Sequence, residues 1–319
     1  MRKVISLLIK AAVSGLLLYF ALKLVNIDTV ASRLRQINLG WLILAMLILL
    51  AQMGLLTIRW QQIIRHCGGE LPFARLLRFG MIGAFFNQTL PSSVGGDAMR
   101  IWLVGKQANW RVASYSVLID RAIGLVALAA IVVVCLPWTF GLVKDPVGRV
   151  ALLAIGLGSI GGWLVFLALG WQRLQILQRW SLTRHLAASA TVATEILRSP
   201  RAMGPIFVPS LLIHLLTAVA AWCIARSVNA DLSLANALFL VLPVILVSVV
   251  PISIAGWGLR EGAMVAAFAY AGLPQSDGLL VSFLLGISYL VVGVLGGLVW
   301  IFKSEPPPKE AVAGVGTQD

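Results

Sequence analysis

Long apolar runs alternate with short basic ones along the chain, and the longer runs are sized for a bilayer. Val4–Val25, Leu39–Ile58, Val112–Leu136, Arg149–Gly170, Pro205–Ala225 and Gly278–Phe302 are six such runs. Each comes close to the roughly 20 apolar residues that cross a hydrocarbon core of about 30 Å as a helix. Phe79–Leu90, Leu234–Val250 and Glu261–Gly272 are apolar but shorter. The basic segments Arg59–Arg78 and Arg100–Arg111 lie between the second and third spans. Trp171–Arg201 is a long polar connection with room for two amphipathic helices at the interface. Lys303–Asp319, with Pro306-Pro307-Pro308, has the composition of a disordered tail. The pattern predicts one transmembrane domain over 1–302, in halves of about 1–145 and 146–302, followed by the tail 303–319.

The short apolar stretches run into or out of two similar elements. The first is Leu90-Pro91-Ser92-Ser93-Val94-Gly95-Gly96-Asp97-Ala98-Met99-Arg100, and the second is Val250-Pro251-Ile252-Ser253-Ile254-Ala255-Gly256-Trp257-Gly258-Leu259-Arg260, followed by Glu261. They occupy matching places in the two halves. Proline removes a helix donor and stops the helix. Glycines permit positive φ and close backbone approach. Broken helices at corresponding positions of two halves are the best sequence pointer to a transporter's substrate site.

Composition makes the membrane reading firm. Hydrophobic residues are 60% of the chain and charged residues 12%, more apolar side chain than a soluble domain of this length buries. In hydrocarbon each backbone polar group must be satisfied within a helix or a closed barrel. Without short alternating strands the barrel fails, so the fold class is an all-α polytopic membrane protein. The net charge is +13, and its basic residues sit in short loops. That fits anionic headgroups as partners, and no soluble module is present to bind nucleic acid.

Charge also orients the spans. Each broken element is taken as a re-entrant hairpin returning to the face it came from. The N-terminus, Arg59–Arg111, Trp171–Arg201 and the tail then carry 16 Lys and Arg, against about 6 on the other face. The richer face is cytoplasmic, so both termini are cytoplasmic. Six full spans and two re-entrant helical hairpins then form an inverted-topology repeat, one hairpin entering from each face. The alternative is that the short helices cross fully, giving eight or more spans.

Candidate chemistry gathers at the two elements and in the third span. Helices restarting after Gly95-Gly96 and after Gly256 and Gly258 would offer free N–H groups to an anion. Arg100 and Arg260 add planar forks suited to phosphate. Ser93 and Ser253 offer hydroxyls, and Asn87 a cap or headgroup contact. The bland reading is a pair of interfacial turns whose arginines snorkel. Asp120 and Arg121 lie well inside the third span, where charges are rare and face a bundle interior or a watery cavity. They point about 100° apart, so they need not pair with each other. Candidate partners are Asp97, Arg100, Arg260 and Glu261, and a structural lock between halves is as good a reading as a substrate site. Asp97 and Glu261 read first as counter-charges to the nearby arginines.

Other patterns are quieter. Cys67, Cys135 and Cys223 have no metal or redox spacing, and no cofactor or metal set is visible. His214 lies inside a span and reads as a neutral, hydrogen-bonded contact. Gly156-x-Gly158-x-x-Gly161 matches a dinucleotide fingerprint without a preceding strand, so small residues at helix contacts explain it, as they do Gly293-x-x-x-Gly297.

Taken together, Asn87, Leu90-Pro91-Ser92, Gly95-Gly96-Asp97, Arg100, Asp120-Arg121-x-x-Gly124, Pro251-Ile252-Ser253 and Gly256-x-Gly258-x-Arg260-Glu261 resemble the lysylphosphatidylglycerol synthase transmembrane-region family. The chain is similar to the flippase half of the bacterial multiple peptide resistance factor over nearly all its length to Phe302. The resemblance implies an inner-membrane protein that moves or handles polar lipids. Lysyl transfer belongs to a separate cytosolic domain in that factor and is not carried over. The expectation is a flippase or transporter for a lipid with a phosphate-bearing headgroup: a phospholipid, an aminoacyl-phospholipid or a polyprenyl-phosphate-linked species. Arg100, Arg260 and Arg121 would hold the phosphate. The alternatives are a membrane-embedded headgroup transferase and a non-catalytic subunit of a glycosyltransferase or lipid-synthesis complex. Lipid-modifying partners and a second copy of the chain are the protein partners this allows.

Overall fold

A computed structural model describes residues 2–25, 27–89, 95–169, 181–250 and 253–302. Among them all regular structure is helical: α1 (Arg2–Lys23), α2 (Ile27–Arg35), α3 (Leu39–His66), α4 (Phe73–Thr89), α5 (Gly95–Gln107), α6 (Trp110–Leu142), α7 (Pro146–Leu169), α8 (Ser181–Arg198), α9 (Pro200–Ser227), α10 (Leu234–Ser248), α11 (Leu259–Tyr270) and α12 (Gln275–Phe302). Within α3, α6, α9 and α12 lie stretches long and apolar enough to cross a membrane; shorter apolar stretches lie in α1, α7 and α10. Pro91, Ser92 and Ser93 of the first element, and Pro251 and Ile252 of the second, lie outside the described residues, as does the tail.

Helices α3 and α6 run well past the ends predicted from the apolar runs. The second span does not stop at Ile58: α3 continues through Arg59 to His66, because Arg59 is buried against the Asp120 carboxylate and needs no headgroup. The third span passes Pro137 and continues to Leu142. In the polar connection one amphipathic helix is described, α8, which buries Ala187, Ala190, Ala193 and Ile196 at helical spacing.

The loops sort to two ends of the bundle. At one end Arg33 meets Asp277 at 2.8 Å and the Asn229 carbonyl at 3.3 Å, the Asn38 amide donates to the Ser227 carbonyl, and the Lys144 amide donates to the Tyr270 carbonyl. At the other, Gln61 donates to the Leu71 carbonyl and Arg75 to Gln107. Helices α4 and α5 are antiparallel, since Arg75 and Gln107 meet at their outer ends and Asn87 and Gly96 at the inner tip. Helix α4 packs along α12, where Gly293, Gly296 and Gly297 face Gln88, Met81 and Phe85 so closely that β-carbons there would collide with or crowd them. That pairing is the small-residue contact expected of Gly293-x-x-x-Gly297.

Candidate functional site

The first broken element opens a helix, α5, whose start is held against α4. Asn87 Oδ1 accepts from the Gly96 amide at 3.0 Å. A β-carbon at Gly96 would strike the Gly83 carbonyl and Asn87, so glycine is required for this approach. Gly95 is buried at the same tip. Two residues on, Asp97 faces the bundle, and one turn later so does Arg100.

Four helices converge on these residues. Asp120 is 2% exposed. It accepts from Arg59 Nε at 2.7 Å and from an Arg100 terminal nitrogen at 2.9 Å. Arg121 points the other way and pairs with Asp97, whose other oxygen lies 3.6 Å from Arg100. The 100° divergence of Asp120 and Arg121 is thereby realised. Arg59 also donates to Ser210 Oγ at 3.3 Å. The Arg100 guanidinium lies 3.9 Å from the centroid of the Trp60 ring, a cation–π distance. Its Nε is buried without a partner among the described residues.

The depth of this cluster follows from helix geometry. Asp120 is ten residues into α6, while Arg59 and Arg100 are each seven residues from the ends of α3 and α5. At 1.5 Å per residue all three lie about 10–15 Å from the same end of the bundle. Here they line a cavity of about 300 Å³ with Asp97, Arg121 and Asn87. Three guanidiniums face two carboxylates across it. His214 and Ile213 of α9 close one side, and His214 Nε2 lies 2.9 Å from the Gly124 carbonyl, a hydrogen-bonded helix contact as expected of it. From the second half, Ile245 and Val249 at the end of α10 reach the same cavity.

The second element makes a different object. Ala255, Gly256 and Gly258 all have positive φ (49°, 80° and 83°). That backbone favours glycine. Gly258 lies directly on α1, where Ser14 and Leu17 leave no room for a β-carbon, and Ser14 Oγ accepts from the Ile254 amide at 2.9 Å. Glu261 is fully buried. Its Oε2 caps the Gly258 amide at 2.7 Å, and its Oε1 accepts from Arg260 at 2.6 Å and from Ser282 Oγ at 3.0 Å. Ser253 is also buried here, its hydroxyl without a partner among the described residues.

The predicted residues thus fall into two groups. Arg100, Arg121, Asn87, Asp97 and Asp120 share the cavity. Arg260 and Glu261 pair with each other, and neither lines it; Gly256, Gly258 and Ser253 belong with them. Of the candidate partners named for Asp120 and Arg121, Arg100 and Asp97 are met and Arg260 and Glu261 are not: each of the two aspartates takes its arginines from its own half. Sequence reasoning missed Arg59 by reading it as the start of a basic loop. A signal was present, since Gln52 and Arg59 are seven residues apart and so share a helix face; Gln52 is likewise buried, donating to the Ile213 carbonyl at 2.6 Å and to Thr217 at 3.0 Å. Among the described residues no group of three or more His, Cys, Asp or Glu is placed to hold a metal.

The family model for the lysylphosphatidylglycerol synthase TM region matches residues 7–297, and the chain belongs to that family. It is a multi-pass membrane protein of lipid metabolism or transport. No individually curated protein gives a significant match.

Proposed function

We propose, from this membership of the lysylphosphatidylglycerol synthase TM region family, that the protein moves a lipid with a phosphate-bearing headgroup between leaflets. The observation that carries the reading is the charged cavity. Ionised groups in a membrane interior are costly and mark substrate pathways. Here Asp97 and Asp120 aim three guanidiniums at one space, leaving an Arg100 donor unmet. Planar guanidinium forks suit phosphate oxygens better than ammonium groups do. Both aspartates are occupied by arginine, which favours binding over acid–base chemistry on the headgroup.

In this reading α4–α5 and α10–α11 are re-entrant hairpins in an inner-membrane protein with both termini cytoplasmic. The sorting of the loops to two ends supports the hairpins, and the Lys/Arg bias supports the orientation. The second tip lies against Ser14, near the middle of α1, as a midplane tip requires. Arg260 and Glu261 lock that tip in shape, and α10 carries its movement to the cavity through Ile245 and Val249. Transport follows if the α10–α11 hairpin rocks between positions that open the cavity to each face.

Reconstitution with headgroup-labelled lipids tests the function. A transporter moves labelled phosphatidylglycerol between leaflets and leaves it chemically unchanged. Chemical alteration of the lipid would make the protein a headgroup transferase. Neither movement nor alteration would leave only the subunit reading.

A further inference from the structure

The Gly156-x-Gly158-x-x-Gly161 run predicts helix contacts, and among the described residues only its first member makes one. A β-carbon at Gly156 would meet Leu136 and Val133 of α6, whereas at Gly158, Gly161 or Gly162 it would meet nothing within 4 Å. Gly158 and Gly162 instead form one wall of an apolar groove of about 400 Å³, with Ala122, Val126 and Ala129 of α6 opposite and Leu246 of α10 beside them. Arg121 and Leu125 line both this groove and the charged cavity, so the two spaces are neighbours that share a guanidinium in their walls. From Arg121 to Ala129 the groove follows α6 for about 12 Å at 1.5 Å per residue.

An apolar groove in a bilayer has no hydrophobic pull on a hydrocarbon chain, because the surrounding lipid is equally apolar. What distinguishes this one is the charge at its end. Among the described residues that line the cavity, Arg59, Arg100 and Arg121 outnumber Asp97 and Asp120 by one, with His214 counted as neutral. An unbalanced charge away from water is unfavourable until an opposite charge joins it. Arg121, with 37% of its side chain exposed, is the most accessible of the three guanidiniums. The complement is a group with one negative charge attached to a hydrocarbon chain. A phosphodiester lipid has that form.

We infer that the α6–α7 groove seats one hydrocarbon chain of the transported lipid while its singly charged phosphodiester sits against Arg121. The lipid then moves sideways between α6 and α7, and its chain stays in hydrocarbon while its headgroup enters the cavity. The inference rests on the phosphate-lipid reading above and adds the path and the charge of the substrate. The glycines of α7 have a purpose in it: side chains at 158 and 162 would fill the seat.

The test uses the full-length protein in phosphatidylcholine vesicles containing phosphatidylglycerol with a photoactivatable acyl chain, and maps the labelled peptides by mass spectrometry. Label is expected to concentrate on residues 118–129 and 158–162. Gly158→Trp with Gly162→Trp should lower it about tenfold, the factor that ~1.4 kcal/mol of lost fit produces. Leu157→Trp, on the exposed side of the same helix, should leave it unchanged. Label spread evenly over α7, or indifferent to the paired tryptophans, overturns the inference. If the paired variant does not fold, the wild-type label map decides alone. A neutral diacylglycerol with the same photoactivatable chain should label the groove poorly. Equal labelling by it overturns the inference and counts against the phosphate reading too. Transport of phosphatidylglycerol with the groove unlabelled overturns the groove and leaves the phosphate reading standing.

Discussion

Asp120→Asn should be the most disruptive single substitution in the cavity. The carboxylate is buried and holds two guanidiniums, Arg59 at 2.7 Å and Arg100 at 2.9 Å. Asparagine keeps one acceptor oxygen and places an amide donor where the second carboxylate oxygen stood, facing one of the guanidiniums. Arg59 is 4% exposed, and Ser210 at 3.3 Å is a neutral and longer partner. Breaking a buried ion pair by removing one member costs about 3–5 kcal/mol, because the other charge is left uncompensated. Asparagine recovers part of this, so the expected loss is about 3 kcal/mol, the low end of that range. Adding Arg59→Gln removes the stranded charge. The double variant should then be more stable than the sum of the single losses, by about 1–3 kcal/mol, as expected for residues in one network. Thermal unfolding in lipid nanodiscs, read by tryptophan fluorescence and corrected to a common temperature, measures all four corners of the cycle. Additivity of Arg59→Gln and Asp120→Asn would refute the reasoning. The cycle of Asp120→Asn with Arg260→Gln should be additive within about 0.5 kcal/mol, since among the described residues the two belong to separate hydrogen-bonded clusters.

Further outcomes follow from other parts of the structure. Gly96→Ala should destabilise the α4–α5 tip by about 1–3 kcal/mol, because the added methyl has no space between Gly83 and Asn87; the same unfolding measurement checks it. Glu261→Gln should also lower stability rather than alter lipid preference, since Glu261 bonds to Arg260, Ser282 and the Gly258 amide and does not line the cavity. Burial raises the Cys67 thiol from 9.0 to about 11; thiolate is the reactive form, so near neutral pH maleimide should modify it roughly a hundredfold more slowly than an ordinary thiol, and the rate should climb until about pH 11. That slow background permits a topology test: an impermeant thiol reagent outside the cell should reach Asp145→Cys and miss Trp180→Cys, and the reverse pattern would invert the assigned orientation.

Much of this arrangement was legible in the residues, and the failures have physical causes. The apolar runs located the helices because hydrocarbon leaves the backbone few choices. The paired Pro/Gly elements marked the breaks between α4 and α5 and between α10 and α11, and Asp120 and Arg121 marked the cavity by being charged within an apolar run. Arg59 was hidden because a charge at the end of an apolar run looks like the end of a span; only its three-dimensional partners show that the helix continues. Arg260 looked equivalent to Arg100, since the two motifs match in sequence. Their surroundings differ: Glu261 beside Arg260 closes that site on itself, whereas Asp97 sits three residues ahead of Arg100 and also holds Arg121. The glycines of α7 read as packing residues, because sequence does not say which face of a helix has a neighbour.

The central claim is that the arginine cavity recognises the phosphate of a lipid during transport, and leaflet exchange by an arginine variant tests it most directly. Full-length protein in proteoliposomes should move headgroup-labelled phosphatidylglycerol faster than empty vesicles do. Arg100→Lys keeps the charge but loses the planar fork that meets Asp120 and Trp60 and that the proposal assigns to the phosphate. With the variant shown to be folded and inserted, exchange should fall about tenfold, the effect of ~1.4 kcal/mol. Equal exchange by the folded variant and the wild type would contradict the account, since the arginine would then be a structural anchor and the phosphate would be recognised elsewhere.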